Sequence, residues 1–290
     1  MADFWVQAGR YIQLTKPKVT LLNLLVGLTC FFLAAYPNLN VVALGVFALV
    51  GYLAAGGCGV LNSVYDKDID KKMQRTAKRS IPAGYITVRN GTIFGSILIA
   101  LSFAIGLFYF NRLTLLMLGL GVVFYLVIYT LWLKRSSPWN VVIGGFAGCF
   151  AGLSGWTAAA GTLSLLPLFI ALLDFLWTPG HLWGLAMKKV EEYRQVGVPM
   201  LPVTVGLHKA SRIVFFMNAL TVAFSLFPLA LLAGPIYLTV ALLIGSAFII
   251  QNVGLLVSCS EMDGFKVFLA SMPYLFCLML ALIVDRIIFL

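Results

Sequence analysis

Nine apolar runs, separated by polar connections, order this 290-residue chain. They cover roughly 20–36, 41–62, 91–110, 113–133, 140–160, 163–187, 210–232, 235–257 and 267–289. Each approaches the ~20 apolar residues that carry an α-helix across a hydrocarbon core. Strands of a membrane barrel would instead alternate apolar and polar residues over about 10 positions. These runs are longer and continuously apolar. The pattern therefore predicts an all-α, polytopic membrane protein, with nine transmembrane helices around a central cavity and one domain over 1–290. Two polar connections are long, 63–90 and 188–209. They follow helices four spans apart and so lie on one side. This predicts two parallel four-helix halves and a ninth helix, with both long connections above one cavity.

Composition agrees. Hydrophobic residues make up 61% and charged residues 10% of the chain, against roughly 25% charged in a soluble domain. Every Lys and Arg except Arg112 and Arg286 falls on the same side of the nine-span topology. The rich side is cytoplasmic, which predicts a cell-membrane protein with its N-terminus inside and its C-terminus outside. The net charge of +10 follows from this bias. Nucleic acid is excluded as a partner, because the basic residues sit on connections pressed against a membrane. Anionic membrane lipid or a phosphorylated substrate can meet them there. The five cysteines, Cys30, Cys58, Cys149, Cys259 and Cys277, form no C-x-x-C pair. They read as small buried residues, with neither a disulfide framework nor a zinc site. The polar leader runs into a full span, so a cleavable signal peptide is not expected.

Acidic residues number only ten, and three lie within Asn62-Ser63-Val64-Tyr65-Asp66-Lys67-Asp68-Ile69-Asp70. On a helix, Asn62, Asp66 and Asp70 share one face, while Asp68 points away. Carboxylates crowded at a membrane surface need a positive partner. Mg²⁺ takes oxygen ligands and is commonly shared between carboxylates and substrate phosphates. Asn62, Asp66 and Asp70 are thus metal-ligand and catalytic candidates. Lys72, Arg75, Lys78 and Arg79, which follow, are candidates for phosphate binding. The bland alternative is a solvated, charge-mixed loop end; the spacing of amide and two acids before a basic run argues against it.

A second constellation runs from Trp177-Thr178-Pro179-Gly180-His181-Leu182-Trp183 through Lys188, Glu191, Glu192 and Tyr193 to Pro202. Pro179 and Gly180 predict a kink or break in the sixth helix. Lys188 is a candidate diphosphate ligand, and Glu191 or Glu192 a candidate ligand of a second metal ion. A snorkelling Lys beside ordinary loop acids is the plainer reading. His181 is a candidate haem ligand or proton relay, and His208 reads as interfacial. Asp174, deep in the sixth helix, is costly unless it faces a cavity or a partner. Glycines cluster at 56, 57 and 59 and again at 144, 145, 148, 152 and 155. They predict close helix packing, or else a smooth wall beside a flat ligand.

With Arg75-Thr76-Ala77-Lys78-Arg79 behind it, the Asn62–Asp70 motif resembles the first signature of the UbiA superfamily of intramembrane prenyltransferases. The Trp177–Pro202 tract resembles the branch that farnesylates haem. So do Asn140–Gly145 and the Tyr274-Leu275-Phe276 and Val284-Asp285-Arg286 segments. The resemblance covers nearly the whole chain. It implies Mg²⁺ as cofactor, farnesyl diphosphate and haem B as substrates, and haem O as product. It also implies Tyr193, His181, Trp177 and Trp183 at the substrates, Lys188 and Glu192 in catalysis, and a haem A synthase or terminal oxidase downstream. The chain departs from the pattern at Ser80, where Pro is usual, and at Gly180, where a second Pro is usual. Asp174 stands where an apolar residue is expected. A prenyltransferase for an aromatic, quinone-precursor or lipid acceptor, and an ion-coupled transporter built on a broken sixth helix, are the competing readings.

Overall fold

The computed structural model describes residues 2–227 and 232–289, and among these no strand occurs. Helix α1 (Ala2–Leu14) precedes the first span, α2 (Pro17–Ala35). Next come α3 (Val41–Tyr65), the short α4 (Lys67–Lys72), α5 (Val88–Tyr109) and α6 (Arg112–Val123). The α6 span continues as a π-helix over Phe124–Trp132 and ends at Arg135. A span interrupted at Gly145 follows, α7 (Asn140–Gly144) with α8 (Phe146–Ala160). The rest are α9 (Leu165–Lys188), α10 (Val190–Gln195), α11 (Leu201–Leu226), α12 (Pro235–Ser258) and α13 (Glu261–Phe289). Nine helices among the described residues are long and apolar enough to cross a membrane, as the sequence pattern predicts.

Three expectations change. The sixth span is not broken, because α9 runs without interruption through Pro179 to Lys188. A proline removes one N–H, and in a packed bundle neighbours absorb that loss. α11 joins two helical segments at a non-helical Gly206 (φ 77°, ψ 162°), so the seventh span starts just past Gly206, a few residues before 210, and a short segment from Leu201 with Pro202 in its first turn precedes it. Lys209 and Arg212 hid this start from an apolar-run criterion. Its expected end near 232 runs past residues 228–231, which lie outside the described residues. Finally, α1 was not anticipated. Phe4, Trp5 and Ile12 are exposed, while Tyr11 meets Phe94 edge-on at 4.9 Å. That two-faced pattern suits a helix lying in the membrane interface.

Glycine sets the closest helix approaches. A Cβ on Gly155 of α8 would lie 1.9 Å from the Gly27 carbonyl of α2, so these backbones touch only because both residues lack side chains. The packing partly repeats along the chain: α3 lies on α5 as α9 lies on α11, and α6 on α8 as α12 on α13. Both α8 and α13 also lie against α2. Asp285 of α13 accepts from Ile236 N (3.0 Å) and Tyr237 N (2.7 Å), satisfying two free N–H groups at the start of α12. Outward residues such as Leu101 and Phe108 on α5 and Leu243 and Ile250 on α12 are exposed. In a bilayer, lipid covers such faces.

Candidate active site

Asp66 is the joint between α3 and α4. Its N–H donates to Asn62 O (2.9 Å), and the Asp70 N–H donates to Asp66 O (2.8 Å). The four-residue hydrogen-bond spacing therefore survives the change of helix. Asn62, Asp66 and Asp70 are all buried on one face, and Asp68 is exposed. Arg135 holds the outward Asp68 with bonds of 2.6 and 2.7 Å, and this guanidinium keeps the Asp68 carboxyl below the usual range.

Three cations reach the buried face from three parts of the chain. Lys134, at the end of the α6 span, donates to Asp66 Oδ2. Lys16, left-handed (φ 52°) just before α2, donates to Asn62 Oδ1 at 2.5 Å. Arg79 donates to Asp70 Oδ2 at 3.0 Å, and Thr76 Oγ1 ties that loop back to Asp70 O at 2.9 Å. The Asn62 amide nitrogen donates to Thr130 Oγ1 (3.1 Å) in the π-helix. Burial, then the proximity of Lys134 and Arg79, pushes the Lys16 ammonium down to about 7.

Asp66 Oδ1 is buried and has no hydrogen-bond partner among the described residues. A carboxylate oxygen is seldom left so. Beside a buried amide oxygen and a second carboxylate, it fits a small, hard divalent cation that completes its shell with water and phosphate oxygens. Asn62, Asp66 and Asp70 are the residues that would hold it.

The other expected site residues are placed as follows. Lys72, Arg75 and Lys78 are exposed and make no ion pair among the described residues, because the Thr76 tie turns only Arg79 inward. Glu191 faces solvent and pairs with Arg194. Glu192 pairs with Lys189 at 2.6 Å and keeps a buried, unpartnered Oε2. It sits on α10, beyond a helix break at Lys189, rather than on a continuous face with His181 and Lys188. Among the described residues no three His, Cys, Asp or Glu side chains gather as a metal cage. Lys188 is half-buried at the end of α9. Tyr193 lies within electrostatic range of Lys134 and Tyr129, so the second constellation approaches the first there. Trp183 is fully buried with its indole N–H unpartnered. It borders neither cavity described below, because α9 turns it to the face away from His181.

Two cavities lie in the bundle, and Lys16 joins the first of them to this cluster. One, of about 800 Å³, starts at Lys16 and runs along Gly59, Cys58, Ala54 and Gly51 to Phe47. Phe47 closes the far end, stacked on Phe31 (5.6 Å) and edge-on to Phe110 (6.1 Å). The other, of about 780 Å³, is bounded by Tyr129, Gly144, Gly145, Gly148, Trp177 and His181. Close packing, the first of the two expected glycine roles, holds at Gly155 and also at Gly144 and Gly148, where a Cβ would lie 2.7 Å from the Tyr129 ring and 2.1 Å from Asp174 Oδ2. The two cavities share Val19, Asn23, Tyr125 and Ala147.

His181 borders the second cavity. Its ring stacks on Trp177 (4.1 Å) and leans on Phe268 (4.5 Å). Ser271 Oγ lies 2.7 Å from Phe268 O and 2.6 Å from His181 Nδ1; with the hydroxyl proton on the Phe268 carbonyl, Nδ1 is the donor. The Nε2 lone pair is then free. Gly180 lets α11 approach, since a Cβ there would lie 1.9 Å from Asn218 Oδ1. Asp174 is buried against Gly148, whose Cβ would meet its Oδ2 at 2.1 Å. Its carboxylate makes no hydrogen bond among the described residues, and Thr178 Oγ1 bonds its backbone carbonyl instead (2.8 Å).

Sequence reasoning missed Lys16, Lys134, Asn23, Tyr125 and Tyr129. The two lysines were absorbed into the positive-inside pattern, and no local spacing distinguishes them. Asn23 carried a signal, an amide inside an apolar run.

A model of the UbiA prenyltransferase family matches residues 22–280. The protoheme IX farnesyltransferase of Stutzerimonas stutzeri is 38% identical, over 95% of this chain and 93% of its own length. That of Synechocystis sp. is 39% identical, over 95% of this chain and 88% of its own. A UbiA homolog from Archaeoglobus fulgidus, solved bound to GPP and Mg²⁺, superposes with a TM-score of 0.72 at 18% identity, covering 94% of this chain and 99% of that one. Acids and cations at one end of a nine-helix bundle, above paired cavities, are thus set in a sequence matched by this family almost throughout. The chain belongs to the UbiA prenyltransferase family.

Proposed function

We propose that the chain transfers the farnesyl group of farnesyl diphosphate to a vinyl group of haem B, with addition of water, giving haem O. The observation that carries this reading is the seam between the two cavities. One cavity starts at Lys16, and the other is bounded by His181, Gly144, Gly145 and Gly148. The names of the curated relatives support haem as acceptor.

Charge supports the donor. With a bound anion keeping Lys16 protonated, Lys16, Lys134 and Arg79 outnumber Asp66 and Asp70 by one. With a divalent ion the surplus is three, which balances the roughly three charges of a prenyl diphosphate. Mg²⁺, when bound, supplies Lewis-acid stabilisation of the charge on the departing diphosphate. The structural neighbour solved with GPP and Mg²⁺ supports that assignment. Lys16, Lys134 and Arg79 hold the diphosphate and stabilise it further as the allylic C–O bond opens. The apolar wall from Cys58 to Phe47 receives the farnesyl chain and keeps water from it. The haem ring lies along Gly144, Gly145 and Gly148, and His181 Nε2 reaches its iron edge-on. The haem vinyl group attacks the allylic carbon, and water captures the resulting cation.

The site-bearing end faces the cytoplasm in this reading, supported by the basic residues concentrated there. A haem A synthase or terminal oxidase would take the product. The test is product mass after incubating purified protein with haem B, farnesyl diphosphate and Mg²⁺. A haem heavier by a farnesyl group plus water, absent with EDTA, is expected. Unmodified haem beside intact diphosphate, in folded protein, overturns the reading.

A further inference from the structure

The proposed reaction needs one water molecule inside an apolar bundle, at one carbon and at one moment. We infer that Asn23 and Tyr125 hold that water. The inference rests on the haem-farnesylating reading above, and it assigns two residues that neither polar motif contains.

The new carbon–carbon bond can form only where donor and acceptor meet. Four residues border both cavities, and two of them, Val19 and Ala147, are apolar. The other two are Asn23, midway along α2, and Tyr125, at the start of the π-helix. Among the described residues neither the Asn23 amide nor the Tyr125 hydroxyl makes a hydrogen bond. The three Ser and Thr hydroxyls lining the two cavities are already committed. Thr20 donates to Thr15 O (2.7 Å), Ser154 to Ala151 O (2.8 Å) and Thr178 to Asp174 O (2.8 Å). An amide left without a partner in a membrane span is costly. A buried water needs two to four polar partners. Asn23 offers an acceptor and two donors, and Tyr125 offers a hydroxyl that does both.

The electron count closes. The terminal vinyl carbon bonds to C1 of the farnesyl group as the C1–O bond to diphosphate breaks. The positive charge then lies on the vinyl carbon next to the porphyrin. A lone pair of the held water forms the C–O bond, and the extra proton passes to the departed diphosphate. Without the held water, the same cation loses a proton from a neighbouring carbon and leaves an alkene, lighter than the hydroxylated product by one water.

Partition between these products is the readout. Wild-type protein, Asn23→Leu and Tyr125→Phe are each incubated with haem B, farnesyl diphosphate and Mg²⁺ in ¹⁸O-labelled water, and the haem products are weighed. Wild type should give the labelled hydroxyl product. Asn23→Leu should lower the ratio of hydrated to alkene product by about tenfold, as expected for one or two lost hydrogen bonds on one branch of the cation's decay. Tyr125→Phe, which deletes one oxygen, should move the ratio the same way and covers the case in which Asn23→Leu fails to fold. A purely structural role would lower total product and leave the ratio unchanged. An unchanged ratio in every folded variant overturns the water seat and leaves the transferase reading standing. Farnesylated haem without water from wild type overturns the water seat together with the hydration step of the proposed function and leaves farnesyl transfer to haem standing. No farnesylated haem from folded wild type overturns both.

Discussion

Lys134 donates to Asp66 Oδ2 across 68 residues of sequence, and Asp66 Oδ1 is left without a partner. One oxygen of the first buried acid is thus neutralised by the protein, and the other is left for the metal ion of the proposed function. Asp66→Ala or Asp70→Ala should lower turnover by about 100-fold or more, the scale of losing one preorganised charge-stabilising group. Haem product formed per minute, in protein whose helicity is unchanged, is the measurement. Near-normal rates in both variants would remove the metal assignment.

The same pair separates stability from function. The Lys134 and Asp66 side chains are 15% and 3% exposed. Breaking a buried pair from one side costs about 3–5 kcal/mol, because the remaining charge is uncompensated. Lys134→Met should therefore melt earlier in detergent than wild type. The double variant Lys134→Met/Asp66→Asn should recover the melting temperature but not the turnover. Recovery of both would make the pair structural only.

His181 and Ser271 predict a haem-binding defect without a donor-binding defect. His181→Ala should weaken haem binding in an absorbance titration. Ser271→Ala, which frees the imidazole to turn and exchange tautomers, should weaken it by about tenfold or more, the usual effect of removing a partner behind a metal-ligating His. An unchanged titration in both would remove His181 as the iron ligand.

Cavity length predicts donor length. From Asn62 to Phe47 the α3 axis rises about 22 Å at 1.5 Å per residue, which the diphosphate and a farnesyl chain together fill. Ala54→Leu, halfway along, should favour a geranyl donor over farnesyl. Phe47→Ala should admit a geranylgeranyl donor. Competition between the three diphosphates, read by product mass, checks both; the same donor preference in all three proteins would refute the length argument.

The sequence by itself determined the nine spans, the shared face of Asn62, Asp66 and Asp70, and the outward turn of Asp68. All of these follow from local periodicity: a bilayer demands long apolar helices, and a helix places every fourth residue on one face. It also carried the family, because the motif around Asp66 and the tract around His181 are contiguous in the chain. It left open whether Pro179 kinks or breaks the sixth helix, and it did not single out Arg79 as the member of the basic run that reaches Asp70. Whether a proline interrupts a helix, or a basic side chain turns toward an acid, depends on neighbours from elsewhere in the chain. The pairing of Lys16 with Asn62 and of Lys134 with Asp66, the serine behind His181 and the seam at Asn23 and Tyr125 were decided only by tertiary structure. Each joins residues tens of positions apart, and a local pattern cannot encode which helix ends meet.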